Sequence, residues 1–230
     1  MPSLAQLLAA HGTLLVLDAA SARVQVGWLS AREATWASST DEAGKALFSG
    51  INTLFQNAPA ARSIAAVGAF VFCEGPGSIL GIRTAATAIR AWRTLHPQTP
   101  VYSYQSLALL AHGLGDSKLT LIADARRDHW HVQQLGQPLR QVLSSELANA
   151  KGPLAMPEGF RHWTPPPPNL TTVPYDLETL FAADGVKNSD LFAPTSEPDA
   201  FLHNEATYKT WSPQIHRAPN AVAANKGSAK

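Results

Sequence analysis

The chain of 230 residues carries 18 Lys and Arg against 17 Asp and Glu, with 45% hydrophobic and 15% charged residues. That composition supports a real core and excludes global disorder, and a net charge of +1 gives no overall field that would favour nucleic acid or a membrane. A single cysteine excludes an internal disulfide and any multi-cysteine metal site.

The opening MPSLAQLLAAHG has helix-forming composition but lacks a basic n-region and a cleavage site. No apolar run approaches membrane-spanning length, so a soluble, cytoplasmic protein without membrane association is expected. TLLVLDAASARVQVGWL then reads as two strands around a tight turn, with Val24, Val26 and Trp28 alternating against polar or small residues. EATWASS follows as a third strand. In DEAGKALFSGINTLFQNA, Leu47, Ile51, Leu54 and Phe55 recur at helical spacing, and Asp41 stands where its charge suits the helix dipole. SIAAVGAFVFC reads as a buried strand, a glycine-rich turn follows, and LGIRTAATAIRAWRTL is a helix stopped by Pro97 and Pro100. PVYSY and QSLALLAHGL are a further strand and helix.

The pattern then restarts. KLTLIADARRDHWHVQQL again gives an apolar strand, an aspartate, a turn and an alternating strand, with Asp124 in the position of Asp18. Either two related halves meet near residues 97–117, or two unrelated hairpins both place aspartate at a turn. Further on, TPPPPNLTT must be extended, and YDLETLFAADGV is a short helix ending at Gly185. From Pro219 onward the composition is that of a frayed tail.

The turn CEGPGSILGIR raises the question of phosphate. A P-loop needs Gly-Lys-Ser/Thr after four intervening residues, and none is present. The dinucleotide fingerprint places its third glycine five residues after the first, whereas Gly75, Gly77 and Gly81 place it six after. Ser78 lacks the flanking glycines of a hydrolase elbow and is suited to capping the helix. Cys73 ends a buried strand, as an inert core thiol does. Arg83, in the first turn of a helix, requires an anion or a carboxylate, for which Glu74 is the nearby candidate. His129 and His131 share one strand face, and no histidine pair has the helical spacing of a metal site.

The helix after the turn is slim. With Ile82, Ala85, Ile89 and Trp92 toward the sheet, Thr84, Thr87, Ala88 and Ala91 form an opposite face, as on a docking surface. Leu47, Ile51 and Leu54 on the earlier helix face either inward or the same partner.

GPGSILGIRTAATAIRAW resembles the GPGSFTGLR-type signature of the TsaB (YeaZ) family of bacterial threonylcarbamoyladenosine biosynthesis proteins, which is glycoprotease-like (peptidase M22-type). VLDAASARVQVGWL, YSYQSLALLAHGL and IADARRDHWHVQQL are similar to three further stretches of that family, in its order, over residues 13–135, and FLHNEATYKTW resembles its ending. The resemblance implies an α/β fold of the actin-like ATPase (ASKHA, ribonuclease H-like) class, with two related subdomains of mixed sheets and flanking helices. The corresponding organisation is an N-terminal subdomain over 1–105, a shortened proline-rich one over 106–218, and a disordered tail over 219–230.

By the same resemblance the chain is a non-catalytic partner of a TsaD-like transferase, which threonylcarbamoylates the adenosine next to the anticodon in tRNA, with a TsaE-like ATPase joining. No metal and no cofactor is implied, ATP or ADP being met only at a partner interface and tRNA only indirectly. Leu47, Ile51, Leu54, Thr84, Thr87, Ala88 and Ala91 are then the partner face, which also serves a homodimer. Asp18, Gly75, Pro76, Gly77, Ser78, Gly81 and Arg83 are the signature and a vestigial anion site. Departures are Ile79-Leu80 for the family's Phe-Thr, Ala19-Ala20 for its Thr-Ser, and the region of Asp41 where a histidine commonly starts the first long helix. The first two remove hydroxyls that a phosphate would use. Two other readings stay open: a small kinase of the same superfamily using Asp18 or Asp124, and a self-associating module unrelated to tRNA.

Overall fold

Four consecutive apolar residues, Leu14 to Leu17, make β1 (Thr13–Asp18) a strand that is buried on both faces, as a central strand must be. In the computed structural model, which describes residues 1–57, 62–147 and 152–201, it is the centre of a six-stranded sheet. β2 (Val24–Ser30) and β3 (Ala34–Ser39) continue from it as an antiparallel meander. On its other side β4 (Ala69–Gly75) and then β5 (Val101–Gln105) run parallel, since helical crossovers connect them.

The second sheet repeats this plan. β6 (Thr120–Arg126), β7 (His129–Gln133) and β8 (Arg140–Leu143) form an antiparallel meander, and β9 (Leu154–Pro157) and β10 (Leu170–Val173) add in parallel beyond β6. The strand orders β3-β2-β1-β4-β5 and β8-β7-β6-β9-β10 match one to one, so the two aspartate hairpins are related halves rather than coincident turns. The first sheet takes its sixth strand, β11 (Ala193–Pro194), from the far end of the chain, antiparallel to β5.

Helices cover the first sheet. α2 (Ala43–Gln56) lays Ala46, Leu47, Gly50, Ile51 and Leu54 on β2 and β3, and α3 (Ile79–Leu95) packs beside it over β1 and β4. Between the lobes, α4 (Ser106–Leu114) touches β4 and β5 of one sheet and β6 and β7 of the other. α6 (Leu177–Ala182) and α7 (Asp184–Lys187) pack against it, α1 (Leu4–His11) packs on β1 and α7, and α5 (Ser144–Leu147) follows β8. The division expected after residue 105 falls between β5 and α4.

Two local expectations are corrected. Residues 64–66 form a 3-10 turn, so the strand begins only at Ala69. The helix expected to end at Gly185 breaks at the extended Ala183, and a further turn runs on through Lys187. Asp41 stands just before α2 and pairs with Lys45 at 3.3 Å, while Glu42 caps the helix by accepting from the N–H groups of Gly44 and Lys45. The tail over 219–230 and the FLHNEATYKTW stretch beyond Phe201 lie outside the described residues.

Candidate functional site

Asp18, at the end of β1, is wholly buried. Its Oδ2 accepts the hydroxyls of Tyr104 at 2.6 Å and Tyr175 at 2.7 Å, and its Oδ1 accepts the Ala20 N–H at 2.8 Å. Burial raises its carboxyl above the ordinary value, against the opposing pull of those donors. The two tyrosines come from different halves of the chain. Tyr104 lies on β5, and Tyr175 follows β10 in the second half. The adjoining segment is also fastened to the first hairpin. Gln25 donates to the Tyr175 carbonyl at 3.0 Å and accepts the Leu177 N–H at 2.9 Å, and Arg23 pairs with Asp176 at 2.7 Å. Asp18 is therefore enclosed by protein and points at no open space.

The glycine turn packs onto the same hairpin. Gly75 and Gly77 take φ of 121° and 153°, and the Gly75–Pro76 peptide is cis. A Cβ on Gly77 would lie 2.5 Å from the Ala20 carbonyl oxygen, and one on Gly81 would fall on that of Ala19. These glycines thus admit the 19–20 turn to van der Waals contact. The Ser78 N–H donates to the Ala20 carbonyl at 2.7 Å, and the Ser78 hydroxyl caps α3 by accepting the Gly81 N–H at 3.4 Å. A phosphate seat needs such N–H groups turned toward a ligand. Here the Ala20 carbonyl takes the Ser78 N–H, and the Ser78 hydroxyl takes that of Gly81.

Arg83 meets Asp199, Nε to Oδ1 at 3.3 Å, rather than Glu74. Glu74 is drawn in another way, its carbonyl accepting the Phe201 N–H at 2.6 Å where the chain crosses the turn. Cys73 is buried, and burial followed by the Asp18 charge pushes its thiol well above the usual range, as in an inert core residue. His129 Nδ1 lies 2.7 Å from the Arg127 carbonyl. Among the described residues no group of His, Cys, Asp and Glu has the arrangement of a metal site.

Asp124 occupies the equivalent place in the second hairpin but is half-open. It accepts the N–H groups of Arg126, Trp163 and Thr164 and the Thr164 hydroxyl. Burial alone would raise its carboxyl; these donors outweigh it and hold the carboxyl below the ordinary value. Between the hairpins lies a cleft of about 740 Å³. Ile79 and Leu80 stand on its first-lobe wall with the glycine turn, and Phe160 and Trp163 on the other.

The expected partner face divides in two. Leu47, Ile51 and Leu54 are core residues beneath α2, and Ala88 is buried as well, so none is presented at the surface. Thr87 and Ala91 are exposed and Thr84 is half-buried. Phe48, which the sequence reading passed over, is 53% exposed beside them, edge-on to Trp92 at 6.3 Å between centroids. Its position one residue after Leu47 on the outward phase of α2 was the available signal. The tyrosines that seal Asp18 gave none: Tyr175 stands in no regular element.

Two lobes of matching strand order, facing one another across a cleft with a glycine turn on one wall, define an actin-like ATPase fold. Solved structures similar to the chain share it. YeaZ from Pseudomonas aeruginosa superposes with a TM-score of 0.54 at 23% identity, covering 74% of this chain and 89% of that one. A protein described as similar to peptidase YeaZ from Pseudomonas aeruginosa gives a TM-score of 0.56 with the same identity and coverage. The chain thus has a YeaZ-like fold. No protein-family model and no curated protein matches the sequence.

Proposed function

We propose that the chain is a non-catalytic subunit for threonylcarbamoylation of the adenosine next to the anticodon in tRNA, a scaffold and activator of a TsaD-like transferase. The observation that carries this reading is the filled glycine turn, with Ser78 N–H on the Ala20 carbonyl and Asp18 sealed by Tyr104 and Tyr175. A kinase of this fold would need those groups open to phosphate. The YeaZ-like fold and the family-type motifs support the particular assembly. In it a TsaE-like ATPase joins in the cytoplasm, and any nucleotide belongs to a partner interface rather than to this chain alone.

The docking surface is the outer side of α2 and α3, where Phe48, Thr84, Thr87 and Ala91 lie above the buried Leu47, Ile51, Leu54 and Ala88. The same surface pairs two copies when the transferase is absent. Affinity purification from the native host with mass spectrometry is expected to recover a TsaD-like subunit. Thr87→Arg places a charged side chain on an exposed position and is expected to weaken that capture at least about tenfold while the chain stays folded. A folded variant with unchanged capture would overturn the face, and no TsaD-like subunit with the wild type would overturn the function.

A further inference from the structure

Two segments distant in sequence meet at the second-lobe side of the cleft; both are basic, and the second carries an exposed indole. The β6–β7 turn carries Arg126, Arg127 and His129, and the loop after β9 carries Arg161, His162 and Trp163. Trp163 is 65% exposed, and the Arg126 guanidinium stands 4.6 Å from its ring centroid. Arg126, Arg127 and Trp163 line an open depression of about 420 Å³ with Asp128, Thr164 and Pro165. Arg161 lines the adjoining cleft.

The backbone is committed to this arrangement. Arg126, Arg127 and Asp128 take φ of 64°, 49° and 63°, a left-handed run that turns of this kind usually assign to Asn or Gly. Asp124 holds both halves together. Its Oδ1 accepts the Arg126 N–H at 2.6 Å, and its Oδ2 accepts the N–H groups of Trp163 and Thr164. One carboxylate thus sets the guanidinium and the indole in a single frame, and Asp124 is a positioning residue rather than a phosphate ligand.

An exposed indole stacked with a guanidinium, flanked by further arginines, has the chemistry that receives a base and its neighbouring phosphates. Asp128 tempers the local charge, which favours a ligand held by stacking as well as by anions. We propose that the Arg126–Trp163 platform binds single-stranded RNA directly, a base stacking on Trp163 and flanking phosphates meeting Arg127 and Arg161. This replaces the expectation that RNA is met only through partners. It stands on the patch itself and is tested on the chain alone, so it fails or holds separately from the transferase reading.

The test is fluorescence anisotropy of a labelled, unstructured RNA of about twelve nucleotides with the full chain at two salt concentrations. Trp163→Ala is expected to weaken binding about tenfold or more, and Trp163→Phe to restore most of it. Arg126→Ala with Arg127→Ala is expected to lower both the affinity and its salt dependence. Circular dichroism confirms that the variants fold. Wild-type affinity in a folded Trp163→Ala chain overturns the proposal. So does heparin competing equally against the wild type and Trp163→Ala, which would mark a polyanion surface only.

Discussion

Tyr175 donates its hydroxyl to Asp18 at 2.7 Å, and this bond joins the end of the second lobe's sheet to the central strand of the first. Together with Tyr104 it closes the space into which an actin-like ATPase would direct a carboxylate. Tyr175→Phe removes one donor and leaves Tyr104 and the Ala20 N–H in place, so it is expected to cost about 1–2 kcal/mol. Asp18→Ala strands two buried hydroxyls and is expected to cost about 2–5 kcal/mol. Urea unfolding midpoints measure both. A Tyr175→Phe midpoint equal to that of the wild type would show that the seal contributes nothing.

The two hairpin aspartates predict opposite pH dependences. Asp18 is raised in the folded state by burial, which favours its protonated form there. Its contribution to stability is full below the ordinary value of 3.8 and is lost as pH rises through the raised one. Asp124 is lowered, since its donors outweigh burial, so its contribution is present above 3.8 and is lost as pH falls through the lowered value. Urea titrations from about pH 3 to pH 8 are expected to show Asp18→Asn without the loss on the alkaline side. Asp124→Asn is expected to lack the loss on the acid side. An Asp18→Asn profile parallel to the wild type across this range would remove Asp18 as the source of the slope.

The close packing of the glycine turn onto the 19–20 turn gives a sharp contrast among glycines. Gly77→Ala and Gly81→Ala each drive a Cβ into backbone atoms of Ala20 or Ala19, which cannot rotate away. Each is expected to cost about 2–4 kcal/mol, in the range of overpacking with backbone shift. Gly115 also has a positive φ, 67°, but open space surrounds its Cβ position. Gly115→Ala is therefore expected to cost only about 1–2 kcal/mol, the conformational term of the left-handed region alone. Thermal unfolding ranks the three, and a Gly81→Ala chain as stable as Gly115→Ala would contradict the packing.

Local signals in the sequence were read with success where the cause is local. TLLVLDAASARVQVGWL forms its two strands around a turn, Ser78 caps α3, and the paired aspartate hairpins announce two related lobes. Errors arise where a partner or a neighbouring element is distant in sequence. Arg83 takes Asp199, 116 residues away, rather than its neighbour Glu74, because the strap after β11 returns along α3. Ala88 is buried because α2 packs beside α3, a contact that the periodicity of α3 alone does not contain. Tyr175 and Trp163 acquire their roles entirely through tertiary placement.

Two arginine ion pairs differ in burial, and they predict different costs. Arg83 and Asp199 are each about half exposed, at 48% and 50%, so solvent screens their 3.3 Å contact. The Arg62 side chain is only 6% exposed; it meets Glu33 at 2.7 Å, donates to the Leu54 carbonyl at 3.1 Å, and lies over the Trp28 ring at 5.3 Å. Its aliphatic stem and guanidinium thus cover the end of α2 and the face of β2 at once, and truncation removes packing as well as charge. Arg62→Ala is expected to destabilise by about 1–3 kcal/mol, and Arg83→Ala by about 0.5 kcal/mol or less. Raising salt is expected to narrow the Arg83 effect and leave the Arg62 effect largely intact, since screening reaches only exposed pairs. Chemical denaturation of both variants at low and high salt decides the matter. An Arg62→Ala cost no larger than that of Arg83→Ala, and shrinking with salt as that one does, would place Arg62 among ordinary surface pairs.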